Sequence, residues 1–314
     1  MTVDQYAFSF PKLKPLVVLI LLPLFLLQTT NSDHAGVLAA DVDSADIERL
    51  ITESGAEAVA VAFYDLETGE QFLIKADESF HAASTMKVPV MIEVFRQAHA
   101  GKFRLDDRIQ IKNDFVSIID GSHFSLSPDD DSEAGLYKRI GQTETIRGLL
   151  GLMIDVSSNL ATNILIERVT AGSVMEYMRE IGAQNIKVLR GVEDGKAFQK
   201  GLNNTATARD LMIILRRIAQ HRAVSPAASA EMIRVMLKQR FNQGIPAGLP
   251  AGVKVAHKTG SITRANHDAA IVYPPGRKPY VLVVLTRGLS DESRAHKLIS
   301  DISKEVHRSL ARKN

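Results

Sequence analysis

Strand-forming sequence sits at the two ends of this chain, and helix-forming sequence fills the space between. Residues 56–64 alternate and are rich in Val and Ala, residues 65–69 supply turn formers, and 71–74 returns as a strand, so a hairpin comes first. Three further β-rich segments appear only late, at 253–258, 269–273 and 280–285, with Pro274-Pro275-Gly276 as the turn between the last two. Between them, apolar residues three to four apart predict helices over 84–100, 145–154, 159–169, 173–181, 206–219 and 226–237. A helix over 44–53, capped by Asp43 and ended by Gly55, precedes the hairpin, and another over 291–311 closes the chain. Strands so distant in sequence bury their faces economically in a single sheet. The predicted class is therefore α+β: an antiparallel five-stranded sheet from both chain ends, flanked by helices. The central helices, about residues 84–220, form a second, all-helical lobe inserted within a domain of residues 40–314.

Several function classes fall away on composition. A net charge of +2, with no basic block interleaved with aromatics, argues against a nucleic-acid partner. The absence of cysteine excludes a thiol nucleophile, disulfides and thiolate metal sites. The acidic run Asp129-Asp130-Asp131 lies in a loop-like stretch, 114–137. It lacks ligand spacing and an accompanying histidine, so a solvated loop is expected and neither metal nor cofactor. Residues 1–39 read as a secretory signal peptide: Lys12 and Lys14, a short apolar run over 16–27, then small residues at 37–40. That run is shorter than the roughly 20 residues needed to span a bilayer. An exported monomer is expected, periplasmic or secreted, with no stable membrane partner once the leader is removed.

Three short segments carry chemistry. Ser84-Thr85-Met86-Lys87 stands where a loop enters a helix, so the Ser84 hydroxyl lies near unsatisfied N–H groups and Lys87, three residues on, shares its face. A buried, deprotonated lysine there can accept the serine proton or help a neighbouring base do so. Ser157-Ser158-Asn159 lies at a helix-to-helix junction, where a hydroxyl can relay a proton and an amide can hold a carbonyl. Lys258-Thr259-Gly260-Ser261 ends a strand. There Lys258 can bind a carboxylate, Gly260 permits close approach, and the Ser261 N–H can join that of Ser84 as an oxyanion hole. Each segment alone has an ordinary reading, as a solvated pair, a helix cap or a chance triplet.

In the order Ser-x-x-Lys, Ser-x-Asn, Lys-Thr-Gly, the three together resemble the signature of class A β-lactamases and penicillin-binding proteins, with a modest insertion, residues 114–137, before the second. The flanks, Gln239 to Gly248 and Asp268 to Gly276, are similar to that family too, and the likeness runs from about Asp43 to Ala311. It implies a serine hydrolase that opens β-lactam amides through a Ser84 acyl-enzyme. Lys87 and Glu193 would activate the nucleophile, Ser157 would protonate the departing nitrogen, Lys258 and Thr259 would hold the carboxylate, Asn159 the side-chain amide, and Glu193 would activate the hydrolytic water. Asp194 is an alternative base. The family's asparagine four residues beyond the glutamate is Ala197 here, and Ser158 replaces its common aspartate. The likeness also leads us to expect an entrance aromatic at Phe124 or Phe115, a helper arginine at Arg264 or Arg294, and an acid paired with Arg190. Two other readings stay open: a D-alanyl-D-alanine peptidase or esterase with slow deacylation, acting on a cell-wall peptide, and a non-catalytic wall-binding domain.

Overall fold

The computed structural model describes residues 44–312. The expected leader and the Asp43 cap lie outside the described residues. Strands β1 (Ala58–Asp65), β2 (Gln71–Ile74), β3 (Lys254–Ile262), β4 (Ala265–Tyr273) and β5 (Tyr280–Arg287) form one sheet. Their spatial order is β2-β1-β5-β4-β3, antiparallel at each pairing, so the two chain ends meet at the β1–β5 ladder. The expected antiparallel sheet is present, and its central strands are buried on both faces.

The expected alternation in β1 thus gives way to an apolar run buried on both faces, as a strand with helices on either side requires. On one face Val59, Val61, Phe63, Leu282 and Val284 pack against α1 (Ser44–Ser54) and α10 (Glu292–Ala311). On the other, Ala60, Ala62, Val281, Val283 and Leu285 share a core with the helices that come between the strands in sequence. Those helices are α2 (Lys87–His99), α3 (Ala134–Tyr137), α4 (Ile146–Asp155), α5 (Asn159–Val169), α6 (Ala171–Glu180), α7 (Gly195–Gln199), α8 (Ala208–Ala219) and α9 (Pro226–Met236). Side-chain caps fix several starts: Thr145, Ser158, Thr207 and Ser225 each accept a backbone N–H of the first turn.

Three differences from the sequence reading bear on function. The helix expected from residue 84 begins as a 3-10 turn over Ala83–Met86, because Thr85 directs both its N–H and its hydroxyl to the Ala82 carbonyl. Lys258-Thr259-Gly260-Ser261 does not end a strand but lies inside β3, since pairing with β4 continues to Ile262 opposite Ala265. The stretch 114–137 is more ordered than a loop: Phe115–Val116 pairs with His123–Phe124, and α3 follows.

Candidate active site

The three segments converge. Ser84 sits in the 3-10 turn, with the preceding Ala83 held at φ 45, the left-handed region. Edge strand β3 runs directly beside it: a Cβ built on Gly260 would lie 3.1 Å from the Ser84 backbone nitrogen and 3.2 Å from the Ala82 oxygen. A side chain at position 260 would press on the nucleophile's own amide and push the turn by a few tenths of an ångström, so glycine suits this close approach. The opposite strand shows which way β3 presents its amides. Asn266 directs its N–H to the Thr286 hydroxyl and accepts from that hydroxyl at its carbonyl, both on the β5 side. Its partner Ser261 therefore belongs to a non-hydrogen-bonded pair, and its N–H points off the free edge toward Ser84.

Ser157 is the hub. Its backbone adopts φ 61, costly for a non-glycine residue, and this turns its hydroxyl between two buried lysines. Lys87 Nζ lies 3.2 Å from Ser157 Oγ and also donates to the Ser157 carbonyl (2.6 Å) and Asn159 Oδ1 (2.9 Å). Lys258 Nζ reaches the same Oγ at 3.0 Å and the Thr259 carbonyl at 2.8 Å. Both amines are 0% exposed. Burial pulls Lys87 down to about 7, with the Asp131 and Glu193 carboxylates opposing. Burial and the neighbouring charge of Lys87 push Lys258 well below the ordinary lysine range, with Asp268 opposing. A neutral Lys87 keeps two N–H donors for the Ser157 and Asn159 oxygens and turns a lone pair to the Ser157 hydroxyl. Lys87 thus contacts Ser157 and Asn159, and among the described residues none hydrogen-bonds the Ser84 hydroxyl.

Two adjoining cavities, of about 400 and 580 Å³, share Ser84, Asn159 and Ser261 as walls. Glu193 lines the first, at φ 62 and exposed, 3.4 Å from Asn159 Nδ2. The second holds Ser157, Thr259, Gly260, Glu292 and His296.

Residues 44–310 match the beta-lactamase enzyme family. The chain belongs to that family. It is 26% identical over 267 residues to the beta-lactamase of Streptomyces albus G, covering 82% of this chain and 81% of that one. The structure of the beta-lactamase from Sphaerobacter thermophilus superposes with a TM-score of 0.75 at 26% identity, over 86% of this chain and 98% of that one. A single-residue mutant of PBP-A, solved as an acyl-enzyme complex with penicillin G, gives 0.74 at 26% identity, over 85% and 96%.

This beta-lactamase family member departs from several expectations. Asp194 borders the first cavity, but its carboxylate is committed to structural donors rather than free to act as a base. It is 3% exposed and caps α7. Burial alone would raise its pKa, but the Ala197 and Ile118 N–H groups, the Ser117 hydroxyl and nearby Arg190 outweigh that and hold it below the carboxylate norm. Among the described residues Arg190 forms no salt bridge, although the charges of Asp194 and Glu193 act on it; its guanidinium donates to the Leu202 and Gly191 carbonyls and to Asn203 Oδ1. Arg264 is bound to Glu57 and the Gly288 carbonyl, and Arg294 to the Ser54 carbonyl, so neither assists Lys258. Phe115 and Phe124 pack on each other and line a separate cavity, while Phe198 and Phe241 flank the two halves of the cleft.

The acidic run is not simply solvated. Asp131 Oδ2 accepts from the Leu160 N–H (2.8 Å), the Tyr137 hydroxyl (2.9 Å) and the Ser158 hydroxyl (3.3 Å). It places a carboxylate beside the position where the family aspartate is replaced by serine. Sequence reasoning also missed two histidines. His81 Nδ1 accepts the Ala83 N–H, and His267 Nε2 donates to the His81 carbonyl, so both brace the nucleophile turn. Burial takes His267 down to about 4, which keeps it neutral for that task. Only the position of His81, three residues before Ser84, offered a hint.

Proposed function

We propose that this protein is a serine β-lactamase acting through a Ser84 acyl-enzyme. The observation that carries the reading is the Ser157 hydroxyl held between two buried lysines, one tuned to about 7, beside a turn and edge strand that bring Ser84 and Ser261 to the same cleft. Lys87, aided by Glu193, takes the Ser84 proton as the oxygen attacks the lactam carbonyl. The Ser84 and Ser261 N–H groups hold the oxyanion. Ser157 gives its proton to the departing nitrogen and regains one from Lys87. Lys258 and Thr259 hold the carboxylate, whose arrival favours the lysine's charged form, and Asn159 holds the side-chain amide. Glu193 then takes a proton from water as it attacks the ester, and that proton passes to the Ser84 oxygen as the ester bond breaks. The leader-like segment supports export to the periplasm or beyond, and the chain would work as a monomer.

Intact-mass measurement after mixing with penicillin, beside turnover of a chromogenic cephalosporin, tests this. A short-lived adduct on Ser84 with rapid turnover is expected; no adduct overturns the reading. A long-lived stoichiometric adduct would favour a penicillin-binding peptidase. One observation supports that second reading: Ala197 supplies no amide to help Glu193 hold a water.

A further inference from the structure

We propose that Glu292 makes the carboxylate end of the cleft selective for zwitterionic substrates, β-lactams bearing a cationic group next to the ring carboxylate, over purely anionic ones. This rests on the hydrolase reading above. That end of the cleft is walled by Thr259, Gly260, Ser261, Glu292 and His296. Its cation is Lys258, fully buried and already bonded to Ser157 and Thr259. The arginines that could have doubled it are tied to α1, β1 and their flanks.

In their place stands a carboxylate. Glu292 Oε1 accepts from the Ser261 hydroxyl at 3.2 Å, but that hydroxyl has one proton and also meets Asn266 Oδ1 at 2.8 Å. Most of the acceptor capacity of Glu292 is therefore uncommitted. His296 Nε2 stands 3.7 Å away, outside hydrogen-bond range, and among the described residues neither lysine nor arginine pairs with Glu292. The Glu292 side chain is 61% exposed. The cleft thus offers a buried cation for a carboxylate and, bonded to the hydroxyl of the residue that carries the proposed oxyanion amide, an anion at the rim. A substrate with the opposite pair of charges matches both; one with a lone carboxylate is repelled by the second.

Cephaloridine and cephalothin make the comparison, since both carry the same thienylacetyl side chain and differ beside the carboxylate, one with a pyridinium and the other with a neutral acetoxy group. The readout is the ratio of their kcat/KM values, which cancels differences in enzyme quality. Glu292→Gln is expected to lower that ratio about fivefold, the size of a single charge contact near the surface. His296→Lys, which sets a permanent cation beside the intact glutamate, should lower it in the same direction, and high salt should compress it in the native enzyme. A Glu292→Gln ratio equal to the native one, with both compounds still turned over, overturns the assignment. If the native enzyme neither hydrolyses nor is acylated by either compound, the hydrolase reading itself falls and takes this one with it.

Discussion

The two halves of the cleft are built differently. On the Ser84 side, Lys87, Ser157 and Lys258 are interlocked by bonds of 2.6–3.2 Å, and both amines are buried. On the Glu193 side the carboxylate is exposed, touches Asn159 only at 3.4 Å, and has buried Ala197 where an amide would share its water. Preorganisation favours the step served by the first half, because its dipoles need not rearrange as charge develops. On the proposed mechanism, acylation is therefore the step this cleft is better built for, and deacylation the step that separates a β-lactamase from a penicillin-binding peptidase.

The largest test removes the acylating half. Ser84→Ala should abolish the penicillin adduct by intact mass and lower turnover by about 10⁴-fold or more; a surviving adduct would move the nucleophile elsewhere. Next, Glu193→Gln should lengthen the adduct's lifetime by about 10²-fold, with a smaller effect on its formation in stopped-flow traces. Equal slowing of both steps would mean that the two halves do not divide the labour. The pH profile separates them further. Lys87 must be neutral to accept a proton, so the acylation rate should fall as pH drops below about 7, tenfold per unit at the limit, while lifetimes need not follow that limb. The smallest effect is expected from Ala197→Asn. The site is 0% exposed, so burying an amide there should cost about 2 kcal/mol, roughly 5 °C in Tm by calorimetry, rather than speed deacylation.

Acid should also loosen the brace behind Ser84. With its folded pKa near 4 and an unfolded value of 6.5, His267 binds fewer protons in the folded state between those values. Stability therefore rises with pH across that window and is lost on acidification from 6.5 toward 4, by about 3 kcal/mol from this group. Urea unfolding at a series of pH values measures it.

The sheet was legible because strand formers cluster at the chain ends and the central strands are buried on both faces. The segments around Ser84, Ser157 and Lys258 were legible only together: each alone has an ordinary reading, and it was their order along the chain that resembled a family signature. What escaped the sequence depended on long-range contact. Asp131 looked like one of several loop acids until the fold brought it to the start of α5. Asp194 and Glu193 are adjacent, chemically alike and both line the first cavity, and only burial and a helix cap separate a committed carboxylate from an exposed one. Arg264 and Arg294 looked equally available, because the carbonyls and the acid that hold them lie far away in the chain.

The carboxylate beside the Ser158 cap has a practical consequence for anyone who exchanges parts between this chain and its relatives. Negative charge at that point is delivered here by a segment upstream of the helix it serves. Transplanting the Ser157-Ser158-Asn159 turn alone would leave a gap in the recipient, and trimming the upstream segment would open the same gap here. The smallest exchangeable cassette therefore runs from Asp131 through Leu160, and chimeras cut inside it should express poorly whichever parent supplies the rest.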